Sequence, residues 1–141
     1  MQRALVLAEN AAKINEVPVG AVIVLDEAII GEAHNLIRTN HDPCAHAEIL
    51  AIQQACKTIN NERLKAVLYV TLEPCLMCMG AILNAHIMRL VFGARDFKAG
   101  AAGSKWNFAD GARIYHKVQV DEGIYQDKCS VLLTTFFQKL R

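Results

Sequence analysis

The sequence predicts an α/β fold in which a largely parallel sheet is covered by helices on both faces. Segments with strand and helix patterns alternate along most of the chain, as in folds built from βαβ units. Residues 66–72, AVLYVTL, form an apolar run without polar alternation, which is typical of a strand buried on both faces. The chain has 141 residues, of which 53% are hydrophobic, and this suits one domain, 1–141, with a single core.

The first half of the chain contains a helix, a hairpin and a second helix. Apolar residues at helical spacing predict a helix over 3–14. β-branched runs predict strands at about 18–25 and 28–34, and the short turn at Asp26-Glu27 makes them a hairpin. After a polar loop, Pro43 marks the entry to a helix whose apolar stripe continues to Ile59.

The second half alternates strands and helices around one long loop. After the strand over 66–72, residues 74–85 form a helix that opens at Pro74, because proline suits the first helical turn. A strand over 87–94 precedes a Gly/Ala-rich loop over 95–113, and a loop of this length in a compact domain usually has a function. A short strand within 116–123 and a final helix over 125–141 complete the order.

Composition points to a soluble protein in a reducing compartment. No apolar run approaches the roughly 20 residues that a membrane span needs, and no signal peptide precedes the first helix. We therefore expect a cytoplasmic protein without a membrane contact. The five cysteines are then more simply free, buried, catalytic or metal-bound than paired in disulfides.

Positive charge is concentrated in residues 89–117 of a chain whose net charge is only +1. This stretch has a balance of +4, from basic residues Arg89, Arg95, Lys98, Lys105, Arg113 and Lys117 against Asp96 and Asp110. Such a stretch could attract a polyanion, with Arg95, Lys98 and Lys105 as candidate phosphate contacts. A solvated loop would have the same composition.

Cys75 and Cys78 lie three residues apart at the start of the predicted helix that follows the buried strand. Residues i and i+3 share a helix face, so both sulfur atoms can reach one point. The helix dipole favours thiolates in the first turn, and two adjacent thiolates repel unless a cation or a bond joins them. The C-x-x-C motif is therefore consistent with a redox pair, a structural zinc site or a catalytic zinc site.

His46 and Glu48 lie at the start of the preceding predicted helix. Positions i and i+2 point about 200° apart on a regular helix, so their side chains converge only at an irregular helix entry. His46, Cys75 and Cys78 would then supply three ligands and leave a fourth position for water, which is the pattern of catalytic zinc. Glu48 would stand beside that water as a general acid and base.

Each of these residues also has a simpler interpretation. His46 could be an ordinary polar residue, and Glu48 could be a partner of the helix dipole. Cys44 could supply a fourth ligand and close the site as a structural one. Cys56 and Cys129 lie on apolar stripes and are expected to be core residues.

Taken together, the two motifs resemble a known signature. His46-Ala47-Glu48 with Pro74-Cys75-Leu76-Met77-Cys78 is similar to the signature of the zinc nucleobase deaminases. Five further stretches look like the bacterial tRNA adenosine deaminases, which convert the wobble adenosine of an anticodon to inosine: VPVGAV, DPCAHAEI, LYVTLEPCLMCMGA, VFGARDFKAGAAGS and the closing FF. The resemblance covers nearly the whole chain.

This resemblance implies a fold, a reaction and a set of site residues. The fold is a three-layer α/β/α sandwich of the cytidine deaminase type, with a central five-stranded mixed sheet, and the enzyme is a homodimer. The reaction is hydrolytic deamination by a zinc-activated water in a tRNA anticodon loop, with one Zn²⁺ per subunit. The implied ligands are His46, Cys75 and Cys78, and Glu48 is the implied proton shuttle. The implied substrate contacts are Asn35, Ala47, Asp96, Lys98 and Phe137.

The chain departs from this family at several positions: Cys44, where relatives often have Thr, Asn84-Ala85-His86, where they often have His-Ser-Arg, and Tyr115, where they have Asn. The departures at Asn84-Ala85-His86 and at Tyr115 affect RNA contacts rather than the chemistry. A free-base or nucleoside deaminase, acting on guanine or cytidine, is an alternative within the superfamily. A redox or structural-zinc protein is an alternative of another class.

Overall fold

The computed structural model describes residues 1–110 and 115–141. Within these residues, helices and strands follow one another as α1 Gln2–Lys13, β1 Gly20–Leu25, β2 Ala28–His34, α2 Ala47–Ile59, β3 Val67–Leu72, α3 Leu76–Asn84, β4 Arg89–Ala94, β5 Gln119–Asp121 and α4 Gln126–Lys139. The element order agrees with the sequence prediction. Residues 111–114, which include Arg113 and part of the predicted loop, lie outside the described residues.

The five strands form one mixed sheet in the order β2-β1-β3-β4-β5. β1 is antiparallel to both β2 and β3, whereas β3, β4 and β5 are parallel neighbours. Four of the strands therefore run in one direction and β1 alone is reversed, which confirms the five-stranded mixed sheet and the predicted hairpin; the pairing of β1 with β3 is the addition that element order did not predict. The hairpin reverses β1 relative to β2, because Asp26 and Glu27 both have positive φ angles, 49° and 65°, as in the tight turns that join antiparallel strands.

Helices cover both faces of the sheet, which confirms the three-layer prediction. Val22 packs against Ala4 and Leu7 of α1, whereas its neighbour Ile23 packs in the core cluster that contains Ala47 of α2. Successive strand residues point to opposite faces, so α1 and α2 lie on opposite sides of the sheet. α4 contacts α1 on the first side, and α3 contacts α2 on the second.

Close packing of a helix on the sheet depends on one small residue. A Cβ atom on Gly31 would lie 2.4 Å from the carbonyl oxygen of Ala51, which is far below a normal contact distance. Gly31 on β2 therefore lets the middle of α2 approach the sheet closely.

The shared strand direction brings several chain segments to one edge of the sheet. β2, β3 and β4 all end at this edge, so Asn35, Glu73 and Arg95, which follow these strands directly, lie along it. In α/β sheets, ligand sites form beyond the carboxyl ends of the strands. Separately, none of the helices in the described part of the chain combines the length and apolar character needed to cross a membrane.

Candidate metal centre and active site

Two of the predicted metal ligands are the residues that immediately precede helices. His46 is the N-cap of α2, with φ −74° and ψ 151°, and Cys75 is the N-cap of α3, with φ −75° and ψ 176°. Both helices thus begin later than the prolines Pro43 and Pro74 suggested. Because an N-cap residue has extended backbone, its side chain leaves the helical spiral and can turn towards a neighbouring helix.

His46, Cys75 and Cys78 converge on one point. The Nδ1 atom of His46 lies 3.7 Å from the Sγ atom of Cys75 and 3.6 Å from that of Cys78. A tetrahedral zinc ion with ordinary zinc–sulfur and zinc–nitrogen bonds would place these atoms about 3.6 Å apart. One imidazole and two thiolates are also a donor set that suits zinc. The three residues therefore fit a zinc ion.

Cys44 does not belong to this group. The donor atoms of His46, Cys75 and Cys78 lie within 4.8 Å of one another, whereas Cys44 is exposed and outside that cluster. All five cysteines are free thiols, so Cys75 and Cys78 form no disulfide. A site closed by Cys44 thus lacks structural support, and the convergence of both cysteines with His46 favours a metal site over a redox pair.

The three donors alter one another's protonation because they lie so close together. A hydrogen bond from Cys78 lowers the pKa of Cys75 to about 4, and the same bond, with burial, raises the pKa of Cys78. The hydrogen bond with Cys75 raises the pKa of His46. Two sulfurs so close together cannot both ionise without a positive partner, and a metal ion would displace the protons of Cys78 and His46.

Glu48 lies in the first turn of α2, with its side chain buried beside these donors. The residue is only 4% exposed, and burial raises its pKa to about 7. His46 and Glu48 reach the same cavity although they are separated by two positions, because His46 lies outside the helical spiral and Glu48 inside it. The irregular helix entry expected from the sequence is therefore present.

A cavity of about 210 Å³ opens beside the cluster at the carboxyl edge of the sheet. It is lined by Val17, Val19, Asn35, Ile37, His46, Glu48, Leu72, Glu73, Cys75, Asp96 and Ala99. It is smaller than the roughly 300 Å³ at which pockets for drug-sized ligands begin, so it suits a group of the size of one nucleobase.

Asn35 is fixed at the cavity wall by two backbone groups. Its Oδ1 atom accepts a hydrogen bond from the backbone N–H of Ala47 at 2.8 Å, and its Nδ2 atom donates to the carbonyl of Val17 at 3.2 Å. Ala47 itself is fully buried behind this contact. Asn35 therefore orients the start of α2 and retains one N–H and one lone pair for a ligand.

The predicted substrate contacts of the loop after β4 divide between two places. Asp96 lines the cavity, and its Oδ1 atom accepts the backbone N–H groups of Lys98 and Ala99 at 2.9 and 3.1 Å. Lys98 lines a neighbouring groove of about 500 Å³, together with Phe137, whose side chain is 45% exposed. The structure thus places Lys98 and Phe137 together, outside the cavity.

Two of the basic residues in the positively charged stretch are already paired. Arg95 forms an ion pair with Glu122 at 2.6 Å, and Arg89 forms one with Asp121 at 2.7 Å. Lys105 lies 4.7 Å from the ring of Trp106. Arg95 is therefore a poorer candidate for a phosphate contact than the sequence suggested.

Glu73 is a site residue that the sequence reasoning missed. It is 2% exposed, and its carboxylate accepts the backbone N–H groups of Asp96, Ala102 and Ser104 at 3.0–3.1 Å as well as the hydroxyl of Ser104. An acidic residue directly after a buried strand was the available signal. Glu73 ties the loop after β4 to the segment that carries Cys75.

Substitution of Glu73 by glutamine is expected to lower the free energy of unfolding by about 1–3 kcal/mol at neutral pH, because an amide cannot accept all four hydrogen bonds. Burial opposes the ionisation of Glu73, but the hydrogen bonds outweigh it and hold its pKa below the ordinary 4.5. The stabilisation by the Glu73 carboxylate is therefore complete above pH 4.5 and is lost as the pH falls through the lowered pKa of the folded state.

Urea unfolding of Glu73→Gln and wild type at neutral and acidic pH measures this difference, with exposed Glu62→Gln as the control. A Glu73→Gln deficit that does not shrink at low pH would contradict this role for the carboxylate.

Comparison with known proteins identifies a family and agrees with the fold. The MafB19-like deaminase family matches residues 1–141. A protein named tRNA-specific adenosine deaminase from Haemophilus influenzae is 52% identical over 143 residues, which cover 100% of this chain and 83% of that protein. The chain therefore belongs to the MafB19-like deaminase family.

Two solved structures are also similar. A tRNA:A34 deaminase, studied for A-to-I editing at the wobble position of transfer RNA, is 44% identical with a TM-score of 0.90, and the match covers 94% of this chain and 97% of that one. A guanine deaminase from Bacillus subtilis is 41% identical with a TM-score of 0.66, and that match covers 76% and 69% of the two chains. Over its full length, this chain is therefore more similar to the proteins named as tRNA adenosine deaminases than to the guanine deaminase.

Proposed function

We propose that this enzyme hydrolyses the wobble adenosine of a tRNA anticodon to inosine and releases ammonia. The observation that supports the proposal most strongly is the group of three metal donors with Nδ1–Sγ distances of 3.6 and 3.7 Å beside a buried Glu48, at the wall of a cavity that fits one base. Three donors leave one tetrahedral position open, as in catalytic zinc sites.

His46, Cys75 and Cys78 would hold the zinc ion, and zinc when bound makes water available as a nucleophile near neutral pH. Glu48 takes the proton of the attacking water and delivers it to ring N1 of adenine, which makes C6 more electrophilic. Oxygen adds at C6 to give a tetrahedral intermediate on the base. Glu48 then carries a proton to the departing amine, so that water and adenosine yield inosine and ammonia.

The cavity wall would select and hold the base. The free N–H and lone pair of Asn35 can bond the purine edge, because its other polar positions are held by Ala47 and Val17. The target base must leave its stack to enter the cavity, and an anticodon loop lowers this cost because its bases are already unpaired.

The RNA backbone would lie over the loop after β4 and the neighbouring groove. Lys98 and Phe137 line that groove together, so a cation for phosphate and an aromatic ring for a base are adjacent. Asp96 shapes the loop through its hydrogen bonds to the backbone of Lys98 and Ala99. These residues are proposed as the anticodon contacts.

Binding of RNA is therefore expected to weaken with salt, and Lys98→Ala should lower the slope of log affinity against log salt concentration by about 0.7–1, the value for one phosphate contact. Filter binding of an anticodon stem-loop over a range of salt concentrations measures the slope. Lys13→Ala, at the exposed end of α1, is the matched control. A slope that is unchanged in Lys98→Ala would exclude this contact.

The proposed reaction is tested with an anticodon stem-loop that carries adenosine at the wobble position. We expect inosine and an equal amount of ammonia, and no product from free adenosine at the same concentration. Guanine deamination is the second candidate, favoured by the 41% identity to the Bacillus subtilis enzyme. Xanthine formation from guanine without inosine in the RNA would establish that alternative and refute the first.

We also propose a homodimer that acts in the cytoplasm, where a tRNA substrate is present. The outer side of α3 is apolar: Leu76 is 52% exposed, Gly80 is exposed one turn further on, and Met77 beside them is half-buried. A second copy of the chain would remove this surface from water. Light scattering after gel filtration gives the mass, and a strictly monomeric enzyme would refute the dimer.

A further inference from the structure

Phe97 leaves most of an aromatic ring in solvent next to the cavity. The residue is 76% exposed, and it lies between Asp96, which lines the cavity, and Lys98, which lines the neighbouring groove. The deamination chemistry described above does not use it. An exposed aromatic ring on a loop at the rim of a binding site is a candidate ligand contact.

The backbone that carries Phe97 is held on both sides. The N–H of Gly100 donates to the carbonyl of Asp96 at 2.8 Å, and the carboxylate of Asp96 accepts the N–H groups of Lys98 and Ala99. A Cβ atom on Gly100 would lie 2.5 Å from the carboxyl group of Glu73, so the loop packs closely against the buried Glu73 side chain. Phe97 is therefore presented on a turn that needs little ordering when a ligand binds.

We infer that Phe97 is a stacking platform for one of the two nucleobases that flank the base in the cavity. The inference rests on the proposed function. Proteins that bind unpaired RNA stack successive bases on aromatic rings and neutralise the backbone with nearby cations. Asp96 and Lys98, the neighbours of Phe97, face the two places where the target base and the RNA backbone would lie.

The charges around Phe97 favour RNA over a second protein surface. The carboxylate of Asp96 is engaged by backbone N–H groups, Glu73 is buried, and Glu122 is paired with Arg95. Asp96 is half-buried and Glu73 is buried, whereas Lys98 and Lys105 are exposed, so the charge that this part of the loop presents to solvent is mainly that of the two lysines. An aromatic ring next to positive charge suits a nucleic acid, and a contact between copies of the chain is an outcome that the test detects.

The first part of the test compares three substitutions in the full chain loaded with zinc. Phe97→Ala should raise KM for the anticodon stem-loop about tenfold and leave kcat within about twofold, because stacking contributes to binding and not to the chemical step. Phe97→Trp keeps a ring and should restore KM. Phe97→Leu keeps apolar bulk without a ring and should resemble Phe97→Ala. Ile29→Ala, at a residue 52% exposed on β2, is the matched control and should behave as wild type.

The second part couples the protein change to an RNA change. An abasic nucleotide replaces, in turn, the 5′ and the 3′ neighbour of the target adenosine. At one of the two positions the abasic RNA should raise the wild-type KM about tenfold and cause no further rise with Phe97→Ala, which is the result of a double-mutant cycle for a direct contact.

Three results would overturn the inference. The first is an unchanged KM in Phe97→Ala, and the second is that the effects of Phe97→Ala and of the abasic nucleotide on KM add at both RNA positions. The third is a change in the oligomeric mass of Phe97→Ala that accounts for its weaker RNA binding. A wild-type enzyme that forms no inosine refutes the proposed function instead, and this result is read before any variant is compared.

Discussion

Substitution of Glu48 by glutamine is expected to lower kcat by a factor of about 10²–10⁴, because the amide can neither accept the proton of the attacking water nor return it to the base. The zinc content should stay at one ion per chain, since Glu48 is not among the three clustered donors. The variant keeps the shape of the side chain, so its cavity and its fold should be retained. Single-turnover kinetics with the anticodon stem-loop and metal analysis measure the two quantities.

A matched control for Glu48→Gln is available in Glu16→Gln. Glu16 is also a buried carboxylate, 1% exposed, but it accepts hydrogen bonds from Thr39 and does not line the cavity. The Glu16→Gln variant should be less stable than wild type and keep a kcat near that of wild type. If Glu48→Gln turned over at more than about a tenth of the wild-type rate, the proton-shuttle role would be wrong.

Substitution of Cys78 by alanine is expected to remove both the metal and the activity. Two donors cannot hold zinc as three do, and the bound ion stabilises only the folded chain, so the melting temperature should fall to that of the metal-free protein. In the wild type, zinc affinity should fall as the pH is lowered, because His46 and the cysteines must lose protons to bind. Elemental analysis, calorimetry and inosine formation measure these effects.

Cys44→Ala and Cys56→Ala separate the metal centre from the other thiols. Cys44 is exposed and Cys56 is half-buried against the core, and neither belongs to the donor cluster. Both variants should keep one zinc ion and nearly full activity. Loss of zinc in Cys44→Ala would show that Cys44 is a fourth ligand and that the site is closed.

The arrangement of residues on which sequence and structure agree is encoded by short spacing. The short spacing of Cys75 and Cys78 lets both sulfur atoms reach one point, although Cys75 is the N-cap of α3 and not a residue inside the helix. The hairpin follows from a two-residue turn. The convergence of His46 with the cysteines could be proposed because both segments follow strands, and the common direction of β2 and β3 provides it.

The parts that the sequence does not predict depend on contacts between distant residues. The antiparallel pairing of β1 with β3, which places β1 between β2 and β3, is a choice that no local pattern encodes. Glu73 is apparent only once its hydrogen bonds with Ala102 and Ser104, about thirty residues further on, are seen. The ion pair between Arg95 and Glu122 likewise cannot be read from the number of charged residues in the sequence.

The most direct test of the metal centre is X-ray absorption spectroscopy at the zinc edge of the purified enzyme. We predict two sulfur donors at about 2.3 Å and two nitrogen or oxygen donors at about 2.0–2.1 Å, with the signal of one imidazole. This result corresponds to His46, Cys75, Cys78 and one water beside Glu48. A spectrum with three or four sulfur donors, or with a second imidazole, would contradict an open catalytic site.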